Sequence, residues 1–262
     1  MEEKFYYDST DNIKLCGLLS KINDSKSIIV LCHGLKADKT ERNSFSKLVE
    51  KLQNHNINSF RFDFRGHGES TGNDFEMTPL KEVEDLESTI KMLEEKDYDN
   101  IVLLGASFGA SIISLFDNSK YSSIKGLISW YGCLDYFATI EEDHFFSDEH
   151  MKIAKEKGYY EIISKRTGKS FKLGINLYEE IHKLVPYENL IKKNLPILFV
   201  HGTKDKMIPY TLSEKVNKLC KESKLELIEN GDHTFDNDVK ALEKACEVTI
   251  EFASRILNNF ID

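Results

Sequence analysis

The chain has 262 residues, 40% hydrophobic, 11% aromatic and 30% charged, which suits one sizeable folded domain with room for an insertion and excludes a disordered or fibrous protein. A formal net charge of −9, with no lysine- and arginine-rich run interleaved with aromatics, opposes nucleic acid as a partner. No apolar segment approaches the roughly 20 residues needed to span a bilayer, and the start MEEKFYYDST lacks the basic and apolar regions of a leader, so the expectation is a cytoplasmic protein without a membrane span.

Hydrophobic period lays out the elements in order. KFYYDSTDNIKLCGLLSKI alternates and turns at Asp11-Asn12, an N-terminal hairpin. SIIVLCHG (27–34) is a continuous β-branched run, the mark of a strand buried on both faces. Phe45, Leu48, Val49 and Leu52 recur at helical spacing, and NSFRFDFRG (58–66) returns to period two. TPLKEVEDLESTIKMLEEK opens with Thr78 as N-cap and Pro79 at the first helical position, with Leu80, Val83, Leu86, Ile90 and Leu93 along one stripe.

NIVLLGAS, IKGLISWYG, LPILFVHG and KLELIEN (224–230) are further strands, and a last amphipathic helix carries Val239, Leu242, Cys246, Ile250, Ala253, Leu257 and Phe260. Strands alternating with helices predict an α/β fold with a mostly parallel central sheet and helices on both faces. One interval departs from the alternation. Residues 134–190 are read as an inserted cap, with a helix in HFFSDEHMKIAKEKG, a hairpin turning at Thr167-Gly168-Lys169, and a helix in NLYEEIHKLVPYENL. The core is then 1–133 and 191–262.

Cys16, Cys32, Cys133, Cys220 and Cys246 are scattered and odd in number, so neither a disulfide framework nor a zinc site is expected. No metal or other cofactor is expected.

The chemistry gathers at VLLGASFGAS. Strand, then G-x-S-x-G around Ser107, then a helix-capable run is the context of a nucleophile elbow. Residues two before and two after the serine are expected to crowd each other, which is why Gly105 and Gly109 stand there. A serine hydroxyl needs a base, and the order serine, acid, histidine points to His233 in ENGDHTF, the other reading being a loop residue. Asp205 in VHGTKDKMIP is the expected acid, with Asp135 after SWYGCL as its rival. The backbone N–H groups of Leu35 and Phe108 would hold the oxyanion.

His33 reads as a structural hydrogen-bonding residue, and DFRGHGES as a supporting loop with His67 satisfied by nearby backbone. His144, His150 and His182 fall in the cap, while His55 and His201 have no evident chemical context. Phe145, Phe146, Tyr159, Tyr160 and Phe171 would either line a pocket for a small acyl or aromatic group or form the cap's own core.

LCHGL, FDFRGHGES, GASFGA, HGTKDKMIP and GDHTF, in that order, resemble an α/β-hydrolase. The resemblance covers nearly the whole chain and is closest to the capped branch with the monoacylglycerol lipases, the serine aminopeptidase-like hydrolases and the cinnamoyl/feruloyl esterases. It implies Ser107, Asp205 and His233 as catalytic residues and an ester of a short-chain or hydroxycinnamoyl acid as the small-molecule substrate. Ala106 stands where many relatives have histidine. An acyltransferase, thioesterase or peptidase with the same three residues, and a non-catalytic binding protein on this fold, are the alternatives. The association state is left open, a homodimer among the options.

Overall fold

The computed structural model describes residues 2–140, 147–163, 170–235 and 238–258. Strands Glu2–Asp8 (β1) and Lys14–Ser20 (β2) form the expected hairpin, with Asp11 and Asn12 at φ 58° and 59° in its turn. Then come Ser27–Cys32 (β3), helix Ser44–Asn54 (α1), Asn58–Asp63 (β4), helix Pro79–Glu94 (α2), Asn100–Ala106 (β5), helix Phe108–Leu115 (α3) and Ile124–Trp130 (β6). After β6 lie helices Tyr136–Ile140 (α4) and Asp148–Lys157 (α5), strands Tyr159–Ile163 (β7) and Ser170–Gly174 (β8), and helices Ile175–Ile181 (α6) and Pro186–Leu190 (α7). Ile197–Gly202 (β9), helix Tyr210–Leu219 (α8), Ser223–Ile228 (β10) and helix Val239–Asn258 (α9) are the last of the described elements.

Eight strands make one sheet in the order β1-β2-β4-β3-β5-β6-β9-β10, parallel from β4 onward and antiparallel at β1-β2 and β2-β4. The strand pleat sends alternate side chains to two cores. Ile28, Val30 and Cys32 of β3 pack with Leu86 and Ile90 of α2 and Ile112 of α3, whereas Ile29 and Leu31 pack with Phe45 and Leu48 of α1 and Ala253 of α9. Order reverses at β3: the chain crosses to β4 on one side and then to β5 on the other, so the loops after β3 and β5 diverge around a crevice at the strand ends.

Three details differ from the sequence reading. All six residues of β4 are buried, because β2 and β3 flank it and both faces are covered; Arg61, at 5% exposure, is neutralised by Glu2 at 2.7 Å. On α2, Leu80 is 46% exposed and Val83 half-buried, while Glu82 and Asp85 turn inward. NLYEEIHKLVPYENL is two helices, broken where Pro186, with φ set and no N–H to give, starts α7 as an N1 residue. The expected turn at Thr167-Gly168-Lys169, residues His144, Phe145 and Phe146, and Phe260 lie outside the described residues. Among the described residues no helix is long and apolar enough to cross a membrane.

The inward turn of α2 has a cause. Arg65, just beyond β4, donates from Nε to Asp85 Oδ2 at 3.0 Å and from Nη2 to Asp85 Oδ1 at 2.8 Å, a bidentate pair with both side chains buried. Asp85 also accepts the Arg65 backbone N–H, so α2 is tied to the loop that borders the crevice. Breaking a buried pair from one side leaves an uncompensated charge, so Asp85→Ala is expected to lower the unfolding free energy by about 3 kcal/mol, read by urea denaturation; a loss below about 1 kcal/mol would refute the bracing role.

Candidate active site

Ser107 sits on the corner between β5 and α3 with φ 52° and ψ −115°, a conformation costly for any side chain but glycine. The corner is held open by its neighbours: the Ser107 N–H donates to Trp130 O at 2.9 Å, and the Ser107 carbonyl accepts the Cys133 N–H at 3.0 Å. A Cβ at Gly105 would lie 2.4 Å from Gly109 O and 2.6 Å from Ala110 N, as the crowding argument requires. Gly109 is needed for another reason. Its Cβ would strike Cys32 O and His33 O at 2.3 and 2.5 Å, so it lets α3 press against the end of β3 rather than against Gly105.

The loops after β9 and β10 are stitched together, because those strands are parallel neighbours and end side by side. Lys204 N–H donates to Gly231 O at 2.8 Å and Asn230 N–H to Thr203 Oγ1 at 3.0 Å; a Cβ on Gly202 would fall 2.2 Å from Gly231 O. This stitching brings Asp205 to His233. Asp205 Oδ2 lies 2.7 Å from His233 Nδ1, and His233 Nε2 lies 3.1 Å from Ser107 Oγ. A carboxylate can only accept, so His233 carries its proton on Nδ1 and leaves Nε2 free to take the serine proton.

The Asp205 side chain is fully buried, and two more groups share it. Oδ1 accepts the N–H groups of Met207 and Ile208 at 2.8 and 2.9 Å, and Oδ2 lies 3.1 Å from His201 Nε2. Burial pushes this carboxyl up, but the hydrogen bonds from His201 and His233 outweigh it and hold the group well below the ordinary carboxylate value. His201 escaped the sequence reading. Its only signal is position, at the inner end of β9 and four residues before the acid; Nε2–H also points to Ile208 O at 3.0 Å, and Ser213 Oγ meets Nδ1 at 2.8 Å. Asp135, the rival acid, instead accepts the N–H groups of Phe137 and Ala138 at the start of α4.

Gly34, Leu35, Ser107, Phe108 and His233 line one cleft that opens to solvent, together with Cys133, Thr139, Met207 and Ile208. The N–H groups of Leu35 and Phe108 donate to no acceptor among the described residues, which leaves both available to a ligand in the cleft. Of the described aromatics between residues 134 and 190, Tyr159 stacks on Phe75, Tyr160 on His150, and Phe171 tilts over His67.

Among the described residues one group has metal-ligand spacing, Cys16, Asp63 and Glu69, and a cation already sits there: Lys39 Nζ lies 2.6 Å from Asp63 and 2.9 Å from Glu69.

Two buried histidines, His33 and His67, lie with ring centroids 4.9 Å apart. His33 Nδ1–H donates to Gly34 O at 2.8 Å and its Nε2 accepts the Phe64 N–H at 3.1 Å. His67 Nδ1–H donates to Arg65 O at 2.9 Å, while Nε2 finds no partner among the described residues, so the expected satisfaction by backbone is half met. Burial lowers His33 to about 4 and His67 to about 3, against an ordinary 6.5. Both are neutral in the folded chain at pH 7.

A related family model, described as "Serine aminopeptidase, S33", matches residues 23–131, under half of the chain. The protein YfhR of Salmonella typhi is 25% identical over 200 residues, 71% of this chain and 58% of YfhR, so the chain spans little more than half the length of that relative. "Putative esterase/lipase 3" of Mycoplasma genitalium is 26% identical over 242 residues, 81% of this chain and 82% of the relative. Among solved structures, Est1E of Butyrivibrio proteoclasticus with ferulic acid bound superposes with a TM-score of 0.81 at 24% identity, covering 97% of this chain and 99% of that one.

The two histidines set an acid limit on stability. Their folded values lie below the unfolded one, so as pH falls through 6.5 the unfolded chain takes up protons that the folded chain refuses until about 4 for His33 and about 3 for His67. Stability is expected to fall from about pH 6.5 toward 4, and His67→Phe to remove about one proton, or about 1.4 kcal/mol per pH unit, from that slope. Urea titrations at stepped pH check this; an unchanged slope in the variant would disprove it.

Proposed function

We propose that this chain, an α/β hydrolase by its fold, cleaves carboxylic esters through an acyl-enzyme on Ser107. The observation that carries the reading is the continuous chain Asp205 Oδ2, His233 Nδ1, His233 Nε2, Ser107 Oγ, at 2.7 and 3.1 Å, opening into a cleft. In this reading Ser107 Oγ attacks the acyl carbon while His233 Nε2 takes its proton. The carbonyl oxygen gains negative charge and accepts hydrogen bonds from the N–H groups of Leu35 and Phe108. Collapse of that intermediate expels the alcohol, which leaves with the proton from His233, and water repeats the sequence to release the acid and restore Ser107. Asp205, held ionised by its four donors, stabilises the imidazolium between the two proton transfers.

Esters of short-chain or hydroxycinnamoyl acids are the proposed substrates. The apolar residues that line the cleft, Phe108, Cys133, Met207 and Ile208, suit an acyl chain or ring, and ferulic acid is the ligand named for Est1E. No cofactor enters the scheme, and the proposed organisation is a core of 1–133 and 191–262 carrying a cap at 134–190. The serine aminopeptidase description of the matching family model favours a second reading, hydrolysis of aminoacyl amides by the same residues.

Ser107→Ala is expected to lower ester turnover by roughly 10³-fold or more with the urea unfolding curve unchanged. A panel of p-nitrophenyl esters of increasing chain length, methyl ferulate and aminoacyl amides decides between the readings, amide preference selecting the second. If wild-type protein neither hydrolyses any of them nor is labelled on Ser107 by a fluorophosphonate, the chain is a binding protein on this fold.

A further inference from the structure

The Leu35 N–H is useful to an oxyanion only if its peptide plane is held in one orientation, and the loop after β3 contains two successive peptide groups that are pinned. The peptide carrying Leu35 N–H has its carbonyl, Gly34 O, fixed by His33 Nδ1–H at 2.8 Å and by Ala37 N–H at 3.1 Å. Because a trans peptide points its C=O and N–H in opposite directions, fixing Gly34 O fixes where Leu35 N–H aims. The preceding peptide is pinned from the other end of the loop: Gly34 N–H donates to Glu41 Oε2 at 2.7 Å.

Glu41 is an unusual residue to find there. It is 1% exposed, lines the same cleft as Ser107 and His233, and burial raises its carboxyl above the ordinary value, the Gly34 N–H, Arg42 and His233 pulling it back and Asp38 adding to the rise. A carboxyl group taken out of water is costly unless hydrogen-bonded, and among the described residues Gly34 N–H is the donor that meets it. The backbone also takes three consecutive left-handed residues to present it: Glu41, Arg42 and Asn43 have φ of 43°, 51° and 81°, with none of the three a glycine. Such a run persists only where its surroundings over-determine it, here through Glu41 N–H to Asp38 O at 2.8 Å and Ser44 N–H to Glu41 O at 3.0 Å. The strain delivers one carboxyl oxygen to one N–H, beside the cleft.

We propose that Glu41 is a positioning residue, whose buried carboxyl group holds the Gly34 peptide and so aims the next N–H, that of Leu35, at the oxyanion formed beside Ser107. The inference rests on the hydrolytic reading above. Glu41 touches no reacting atom in this role, and the function needs an acceptor at that place rather than a charge, since an amide oxygen accepts the same hydrogen bond.

The test compares Glu41→Ala and Glu41→Gln with wild type on p-nitrophenyl butyrate, activity being normalised to the folded fraction by circular dichroism. Glu41→Ala is expected to lower kcat about 10²-fold with KM within about threefold, the signature of a misplaced oxyanion donor. Glu41→Gln is expected to restore kcat to within about fivefold of wild type, because it keeps the acceptor. Fluorophosphonate labelling of Ser107, whose phosphonyl oxygen uses the same N–H groups, should slow in the alanine variant and recover in the glutamine variant. Equal normalised kcat in all three proteins, or an equal loss of it in the alanine and glutamine variants, overturns the inference. Wild-type protein that shows neither turnover nor labelling overturns the hydrolytic reading, and this inference with it.

Discussion

One buried carboxylate organises the functional end of this molecule. Asp205 has no solvent to stabilise its charge, and four N–H donors, one from β9 and three from two loops, take that place: His201, Met207, Ile208 and His233. Each donor is aimed by something else in the fold. The two backbone groups come from the tight turn that follows β9, His201 is oriented by Ser213 on α8, and His233 arrives on a loop tied to Thr203 and Lys204. The carboxylate therefore fixes the ring of His233 in one tautomer and one orientation, and through it the distance to Ser107.

Strain is concentrated around the same place. Ser107, Glu41, Arg42, Asn43, Tyr131 and Phe235 all have positive φ without being glycine, and all lie on loops at or beside the strand ends that bound the cleft. Such conformations survive because the sheet and its two cores hold the loop ends rigidly, a division of labour in which the regular elements supply stability and the loops supply geometry. The topological reversal between β3 and β5 gives that arrangement its site, since it separates two loops and leaves a crevice between them. The Arg65–Asp85 pair extends the support downward, locking α2 to the loop that carries His67.

The alternation of strand and helix, the two-faced burial of β3, and the elbow at Ser107 were all legible in the residues, because each is a local signal: a run of branched side chains, a helical stripe, two glycines at fixed offsets. Where several local signals had to be combined with pairing, the reading weakened. β4 reads as period two, yet its polar residues are buried too, since Arg61 finds Glu2 on the edge strand; α2 reads as a hydrophobic stripe, yet Asp85 turns inward to a guanidinium 20 positions away. Neither partner is visible along the chain.

The sequence by itself determined the fold class and singled out the serine and its two candidate partners, because chain order, turn chemistry and strand-end position are properties of local residue types. Tertiary structure decided what those residues touch. It set Asp205 rather than Asp135 against His233, brought in His201, and gave Glu41 its place against Gly34. Those outcomes depend on which loops come to lie side by side when parallel strands pair, and strand pairing is a long-range contact that no window of sequence encodes.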